Sequence, residues 1–196
     1  MKTAFFDLGN VLIFFSHEKM CRQLADVLQT SYEKIYDLLF HQHIAKDYEL
    51  GLIDSEEMYN RLSTSLKRRG DFLTFLQAAS NIFEPNEAIY PIIEKLKKNG
   101  VRLTLLSNTN EAHFNYAYSH FPILRLFHDR ILSYEVNLQK PDPAIFYKAL
   151  TKAGSDNFYT DDLLENIQAA KKVGLDSEQF TSTQNLYTQL TGRGFL

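Results

Sequence analysis

The chain has 196 residues, a formal net charge of −3, 44% hydrophobic residues and 23% charged residues. That suits one well-cored domain or a core with a modest insert, and it argues against large-scale disorder. The acidic balance lacks the basic footprint of a nucleic-acid binder, and no apolar stretch reaches the length of a membrane span, so neither partner is expected. Cys21 is the only cysteine and the apolar start before Asp7 is too short for a signal peptide. Together these point to a reducing, cytoplasmic location with no intramolecular disulfide.

In chain order, Thr3-Ala4-Phe5-Phe6 predicts a strand that ends at Asp7. From about Ser16 to Glu84 no convincing strand appears. Ser16 can cap a helix bearing Met20, Leu24, Val27 and Leu28 on one face. Thr30 with Glu33, and Asp54 with Glu57, have capping-box spacing for two more helices, the second expected to stop at Gly70 after the basic Lys67-Arg68-Arg69. Phe14 and Phe15 are expected to join the core of this bundle. Ile89, Ile92, Ile93 and Leu96 fall at helical spacing before a terminating Asn99-Gly100.

Val101 to Leu106 is then a strand ending at Ser107-Asn108, and Arg130-Ile131-Leu132 another ending near Ser133. Asp142-Pro143 reads as the structural start of a helix through Ile145, Phe146 and Leu150. Asn157-Phe158-Tyr159-Thr160 is a last strand ending at Asp161-Asp162. Strands alternating with helices predict an α/β fold, a Rossmann-like parallel sheet flanked by helices, with an inserted helical bundle. The expected division is a core of 1–15 and 85–196 and a cap of 16–84. In such sheets ligands gather beyond the carboxyl ends of the strands, and each apolar run here ends in side chains able to do chemistry.

Four segments carry a resemblance to the haloacid dehalogenase superfamily: Phe6-Asp7-Leu8-Gly9-Asn10-Val11-Leu12, Leu106-Ser107-Asn108, Lys140-Pro141-Asp142-Pro143, and Asp161-Asp162 with Glu165-Asn166-Ile167 after it. The resemblance implies that Asp7 is the nucleophile and Lys140 a catalytic clamp neutralising Asp7 and the phosphate. It implies a phosphate cradle of Leu8 and Gly9 N–H groups with Ser107, Asn108 and Lys140. It further implies Mg2+ bound by Asp7, the Gly9 backbone carbonyl, Asp161 and Asp162. An attacking carboxylate would form an acyl phosphate and split a hard hydrolysis into two easier transfers. Each residue also has a plainer role open to it: a turn at Asp7, helix capping at Asp161-Asp162 or Ser107-Asn108, a surface lysine at Lys140.

Most phosphatases of the superfamily carry a general acid–base aspartate two residues after the nucleophile, and here that position is Gly9. The Asp-Leu-Gly-Asn-Val form is similar to the subgroup of bacterial α-D-glucose-1-phosphate phosphatase and the phosphatase domain of soluble epoxide hydrolase. Tyr48-Glu49-Leu50-Gly51-Leu52-Ile53 is similar to the cap of that group. The expected function is a Mg2+-dependent phosphohydrolase acting on a small phosphorylated substrate, a sugar phosphate among the candidates. A catalytically weak family member retained for binding or regulation is the alternative that Gly9 raises. A 2-haloacid dehalogenase is a further one, which the acidic pair opposes. Oligomeric state is left open by the sequence.

Overall fold

The computed structural model describes residues 1–196. The chain begins with β1 (Lys2–Phe6) and a short β2 (Ile13–Phe15). Five helices follow: α1 (His17–Val27), α2 (Tyr32–Tyr36), α3 (Ile44–Glu49), α4 (Ser55–Leu66) and α5 (Phe72–Ser80). A single π-helical turn, Asp37–His41, continues α2. After β3 (Phe83–Pro85) come α6 (Tyr90–Lys98), β4 (Arg102–Ser107), α7 (Glu111–His120), β5 (Asp129–Leu132), α8 (Ser133–Val136) and α9 (Pro143–Leu150). The chain closes with β6 (Asp156–Asp161), α10 (Leu164–Lys172), β7 (Ser177–Gln179) and α11 (Thr183–Gly192).

Five strands form one parallel sheet in the order β5-β4-β1-β6-β7, the Rossmann-like arrangement expected from the alternating runs. β1 is central, with Phe6 opposite Leu105 of β4 and Thr160 of β6. Side chains alternate across a strand. Ala4 and Phe6 therefore pack on one face with Leu103, Leu105, Phe158 and helices α6, α7 and α11. Phe5 packs on the other with Leu106, Tyr159 and helices α9 and α10. Cover on both faces explains why β1 reads as a continuous apolar run rather than an alternating one.

The helices between β2 and β3 bury a hydrophobic cluster of their own, including Leu24, Leu28, Ile35, Leu39, Leu62 and Phe75. β2 and β3 pair antiparallel, Phe14 opposite Glu84 and Phe15 opposite Phe83, forming the two-stranded connection to the core. Asn86 secures it by donating to the Val11 carbonyl at 2.8 Å.

Local capping follows the sequence at several points. Ser16, Asp54 and Asp142 accept from Lys19, Glu57 and Ala144 N–H groups. Other local expectations are corrected. α2 starts after Ser31 with no side-chain cap, so Thr30 and Glu33 form no capping box. α4 ends at Leu66, before the basic run, and Gly70 serves close packing instead: a Cβ there would lie 2.7 Å from the Val27 carbonyl oxygen. β3 falls at the end of the stretch read as strand-free. β7 is too polar, Ser-Glu-Gln, to announce itself.

Candidate active site

The carboxyl ends of β1, β4 and β6 lie side by side because the three strands are parallel neighbours. Asp7 leaves β1 held by its N–H on the Thr160 carbonyl at 3.1 Å. The chain then turns back sharply: Leu12 and Ile13 both donate to the Leu8 carbonyl at 3.0 Å, and Asn10 takes a left-handed φ of 55°. The Leu8 N–H donates to Asp7 Oδ1 at 2.7 Å.

Lys140 arrives from the loop before α9. Its Nζ lies 2.9 Å from Asp7 Oδ1 and 2.6 Å from Asp161 Oδ2, and it donates to the Leu106 carbonyl at 3.0 Å. Asn108 places it, its amide donating to the Lys140 carbonyl and accepting from the Lys140 N–H, each at 2.8 Å. One Asn108 amide hydrogen is left over. Ser107 is buried at the end of β4 and lines the same cavity.

One oxygen each from Asp7, Asp161 and Asp162 falls within 4.8 Å of the others. Asp161 is fully buried and saturated: it accepts from Lys140, the Tyr159 hydroxyl, the Leu163 N–H at 2.8 Å and the Asn166 amide at 3.0 Å. Asp162 is less buried, faces the cavity and accepts from Asn10 at 3.0 Å.

Three carboxylates thus cluster beside one ammonium, which pairs with Asp7 and Asp161. Burial pushes Asp7 upward to about 7, and repulsion from Asp161 adds to this against the pull of Lys140. Burial acts on Asp161 as well, but Lys140, Tyr159 and the Leu163 N–H outweigh it and hold that carboxyl below its usual range. The cluster lacks positive charge. An all-oxygen donor set with that deficit fits a hard divalent cation.

These groups open into a cavity of about 280 Å³ lined by Asp7, Leu8, Gly9, Ser107, Asn108, Lys140 and Asp162, with Asp161 packed beneath. The four sequence segments therefore meet at one place. Asn10, Thr109 and Asn166 line it too and were given no role on sequence grounds. For Asn166 a signal existed, since it opens α10 just after the acidic pair, but only contact with Asp161 reveals its use. Phe14 is 45% exposed, correcting the expectation that it joins the bundle core, whereas Phe15 packs against that core as expected and also lines the cavity. His41 of the helical segment stays out, pairing with Asp37 at the surface.

A second, small apolar cavity of about 20 Å³ adjoins, lined mainly by hydrophobic side chains such as Met20, Leu39, Phe40 and Met58. His17, Glu49 and His113 line both spaces.

Residues 1–174 match the family model of haloacid dehalogenase-like hydrolases. The chain belongs to that family. The match spans all four motifs, so this hydrolase shares the family's enzyme class as well as its fold. It is 24% identical over 179 residues to the sesquiterpene phosphatase astK of Aspergillus oryzae (strain ATCC 42149 / RIB 40), covering 89% of this chain and 87% of that protein. It is 26% identical over 161 residues to drimenol cyclase drtB of Aspergillus calidoustus, covering 78% of this chain but spanning only 30% of the cyclase. Among solved structures, the hydrolase is similar to the HAD family enzyme bt-2542 of Bacteroides thetaiotaomicron, with TM-score 0.79 and 26% identity over 91% of this chain and 93% of that one. The complex of bt-2542 with magnesium and inorganic phosphate superposes with TM-score 0.77, also at 26% identity and the same coverage.

Proposed function

We propose that this hydrolase is a Mg2+-dependent phosphohydrolase of small phosphorylated metabolites that works through an aspartyl phosphate on Asp7. The observation that carries the reading is the three-carboxylate, one-ammonium cluster at the floor of a cavity lined by Ser107 and Asn108. Similarity to a sesquiterpene phosphatase and to an enzyme that binds magnesium and phosphate supports it.

Asp7, Asp162 and the Gly9 carbonyl would hold the cation, with Asp161 anchoring Lys140 beside them. Mg2+ supplies charge neutralisation, allowing a carboxylate to approach a phosphate dianion. Lys140 adds a fixed positive charge at the Asp7 oxygen. Ser107, the free Asn108 hydrogen and the backbone N–H groups around Leu8 would hold the phosphoryl oxygens. Asp7 attacks phosphorus as the bond to the leaving oxygen breaks, and water then cleaves the aspartyl phosphate. Residues 16–84 act as a cap that excludes water and reads the leaving group.

One observation favours a narrower substrate class. The space beside the cluster is walled mainly by apolar side chains, Met20, Leu39, Phe40 and Met58 among them, with His17, Glu49, Asn110 and His113 as its polar members. Unmet polar groups are costly to bury, so a partly apolar leaving group suits this wall better than a sugar.

The test is phosphate release from acetyl phosphate and p-nitrophenyl phosphate, with Mg2+ or EDTA, by the protein and by Asp7→Asn. Mg2+-dependent release that falls to background in the variant is expected. Release unaffected by EDTA or by Asp7→Asn would overturn the reading. A panel of prenyl, alkyl and sugar phosphates then decides the class.

A further inference from the structure

Position 9 cannot supply an acid in this chain for a reason visible in the fold. A Cβ on Gly9 would lie 2.7 Å from Cε1 of Phe15, so the aromatic ring fills the space into which a side chain would grow. A phosphohydrolase of this design needs a proton for its leaving oxygen from elsewhere, because general acid catalysis contributes about 10²–10⁴-fold.

The cavity wall offers few groups. His113 uses both ring nitrogens: Nδ1 is 3.0 Å from the Asn110 amide nitrogen, whose oxygen already accepts from the His113 N–H, and Nε2 is 3.0 Å from the Ala79 carbonyl. Those contacts require the neutral ring protonated at Nε2. The His17 ring lies between Phe15 and Phe40, with centroids 4.9 and 5.0 Å away, and burial lowers its pKa, which disfavours the protonated ring. Asp7, Asp162 and Lys140 belong to the charge cluster.

Glu49 remains. It ends α3 in the helical cap and lines both the cavity over Asp7 and the small apolar one, which places it where a leaving group would join its phosphate. Its position is fixed from the core. The Ser133 hydroxyl donates to the Glu49 carbonyl at 2.6 Å, and the Asn137 amide donates to the Leu50 carbonyl at 2.8 Å. Gly51, with φ of 67°, passes so close that a Cβ would sit 2.2 Å from the Tyr134 carbonyl oxygen. The Gln139 amide, next in sequence to Lys140, donates to Glu49 Oε2 at 2.9 Å. Burial raises this carboxyl to about 7, with the Gln139 bond pulling the other way.

We propose that Glu49 is the general acid–base of this hydrolase, protonating the leaving-group oxygen from the cap in place of a residue at position 9. The proposal rests on the phosphohydrolase reading above. In the first step an Asp7 oxygen bonds to phosphorus, the bond from phosphorus to the leaving oxygen breaks, and the Glu49 proton passes to that oxygen to give an alcohol. In the second, the Glu49 carboxylate takes a proton from water as the water oxygen bonds to phosphorus and the Asp7 oxygen leaves. Phosphate is released, and both carboxyls return to their starting states.

The test is kcat/KM, which reports aspartyl-phosphate formation, across 2,4-dinitrophenyl, p-nitrophenyl, phenyl and alkyl phosphates for wild type, Glu49→Gln and His17→Gln. Glu49→Gln is expected to lose about 10²–10⁴-fold on alkyl phosphates and about tenfold or less on the dinitrophenyl ester, which leaves without a proton. His17→Gln should keep the wild-type dependence on leaving-group acidity. Adding Gly9→Asp with Phe15→Ala to Glu49→Gln should recover part of the alkyl activity. An equal loss on every ester, or no loss on any, would overturn the assignment. So would a steepened dependence in His17→Gln alone. Wild-type inactivity on the dinitrophenyl ester with Mg2+ would instead remove the phosphohydrolase reading, and the proposal with it.

Discussion

Lys140 touches two carboxylates, yet these have unequal environments. Asp161 has a hydroxyl, a backbone N–H and an amide besides the ammonium, whereas Asp7 has the ammonium and the Leu8 N–H. A group with every lone pair engaged makes a poor metal ligand, so within the acidic pair Asp162 is the better candidate for direct contact. His113 shows the same logic for a base. Both of its nitrogens are committed in the neutral form, and burial pushes its pKa down to about 4, with the nearby His17 adding to the effect. In the unfolded chain it titrates near the ordinary value of about 6.5. Between those two values the unfolded state binds more protons, so stability rises with pH and is lost as pH falls from about 6.5 toward about 4. His113→Gln is expected to show a shallower loss of urea-melt stability across that window. An unchanged slope would locate the acid sensitivity elsewhere.

At the scale of elements, the segment from Tyr48 to Gly51 works as a latch between cap and core. The Tyr48 hydroxyl meets Ser55 at 2.6 Å and accepts from the Ala112 N–H at 3.2 Å, while Ser133 and Asn137 hold the next two carbonyls. Gly51 permits this contact, and Gly100 provides a control, since it has a similar φ of 75° but open space around it. Left-handed backbone costs a residue with a side chain about 1–2 kcal/mol, so Gly100→Ala should lower stability by that much in urea melts and Gly51→Ala by more, since its Cβ also meets the Tyr134 carbonyl oxygen. Gly51→Ala should in addition reduce kcat/KM on an alkyl phosphate, because the new Cβ displaces the latch and Glu49 with it. Full activity in Gly51→Ala would show that the latch plays no part in turnover.

For the whole molecule, a cation held by the proposed cluster would couple its binding to folding. A ligand at about 100 times its Kd stabilises the folded state by about 2.7 kcal/mol. For a chain of this size each kcal/mol is worth about 2–4 °C. Saturating Mg2+ is therefore expected to raise Tm by about 5–10 °C over EDTA, and Asp162→Asn should erase the rise. Equal shifts in both proteins would mean that the cation binds away from the acidic cluster.

The sequence alone was informative wherever chemistry depends on local order. The strands β1, β4, β5 and β6 were legible as apolar runs, with Asp7, Ser107 and the acidic pair as the polar residues where β1, β4 and β6 end, and Lys140 in the segment just before α9. Parallel pairing brings such ends together, and the resemblance of the four segments to the superfamily assigned them to one site. β2, β3 and β7 were not legible, because three residues give no period to read and β7 is polar at the sheet edge. The roof of the site belongs to tertiary structure. That Phe15 fills the space beside Gly9, and that Glu49 docks 90 residues away on Gln139, depends on how the cap helices settle on the core. Such contacts are set by long-range packing, which leaves no period in the chain.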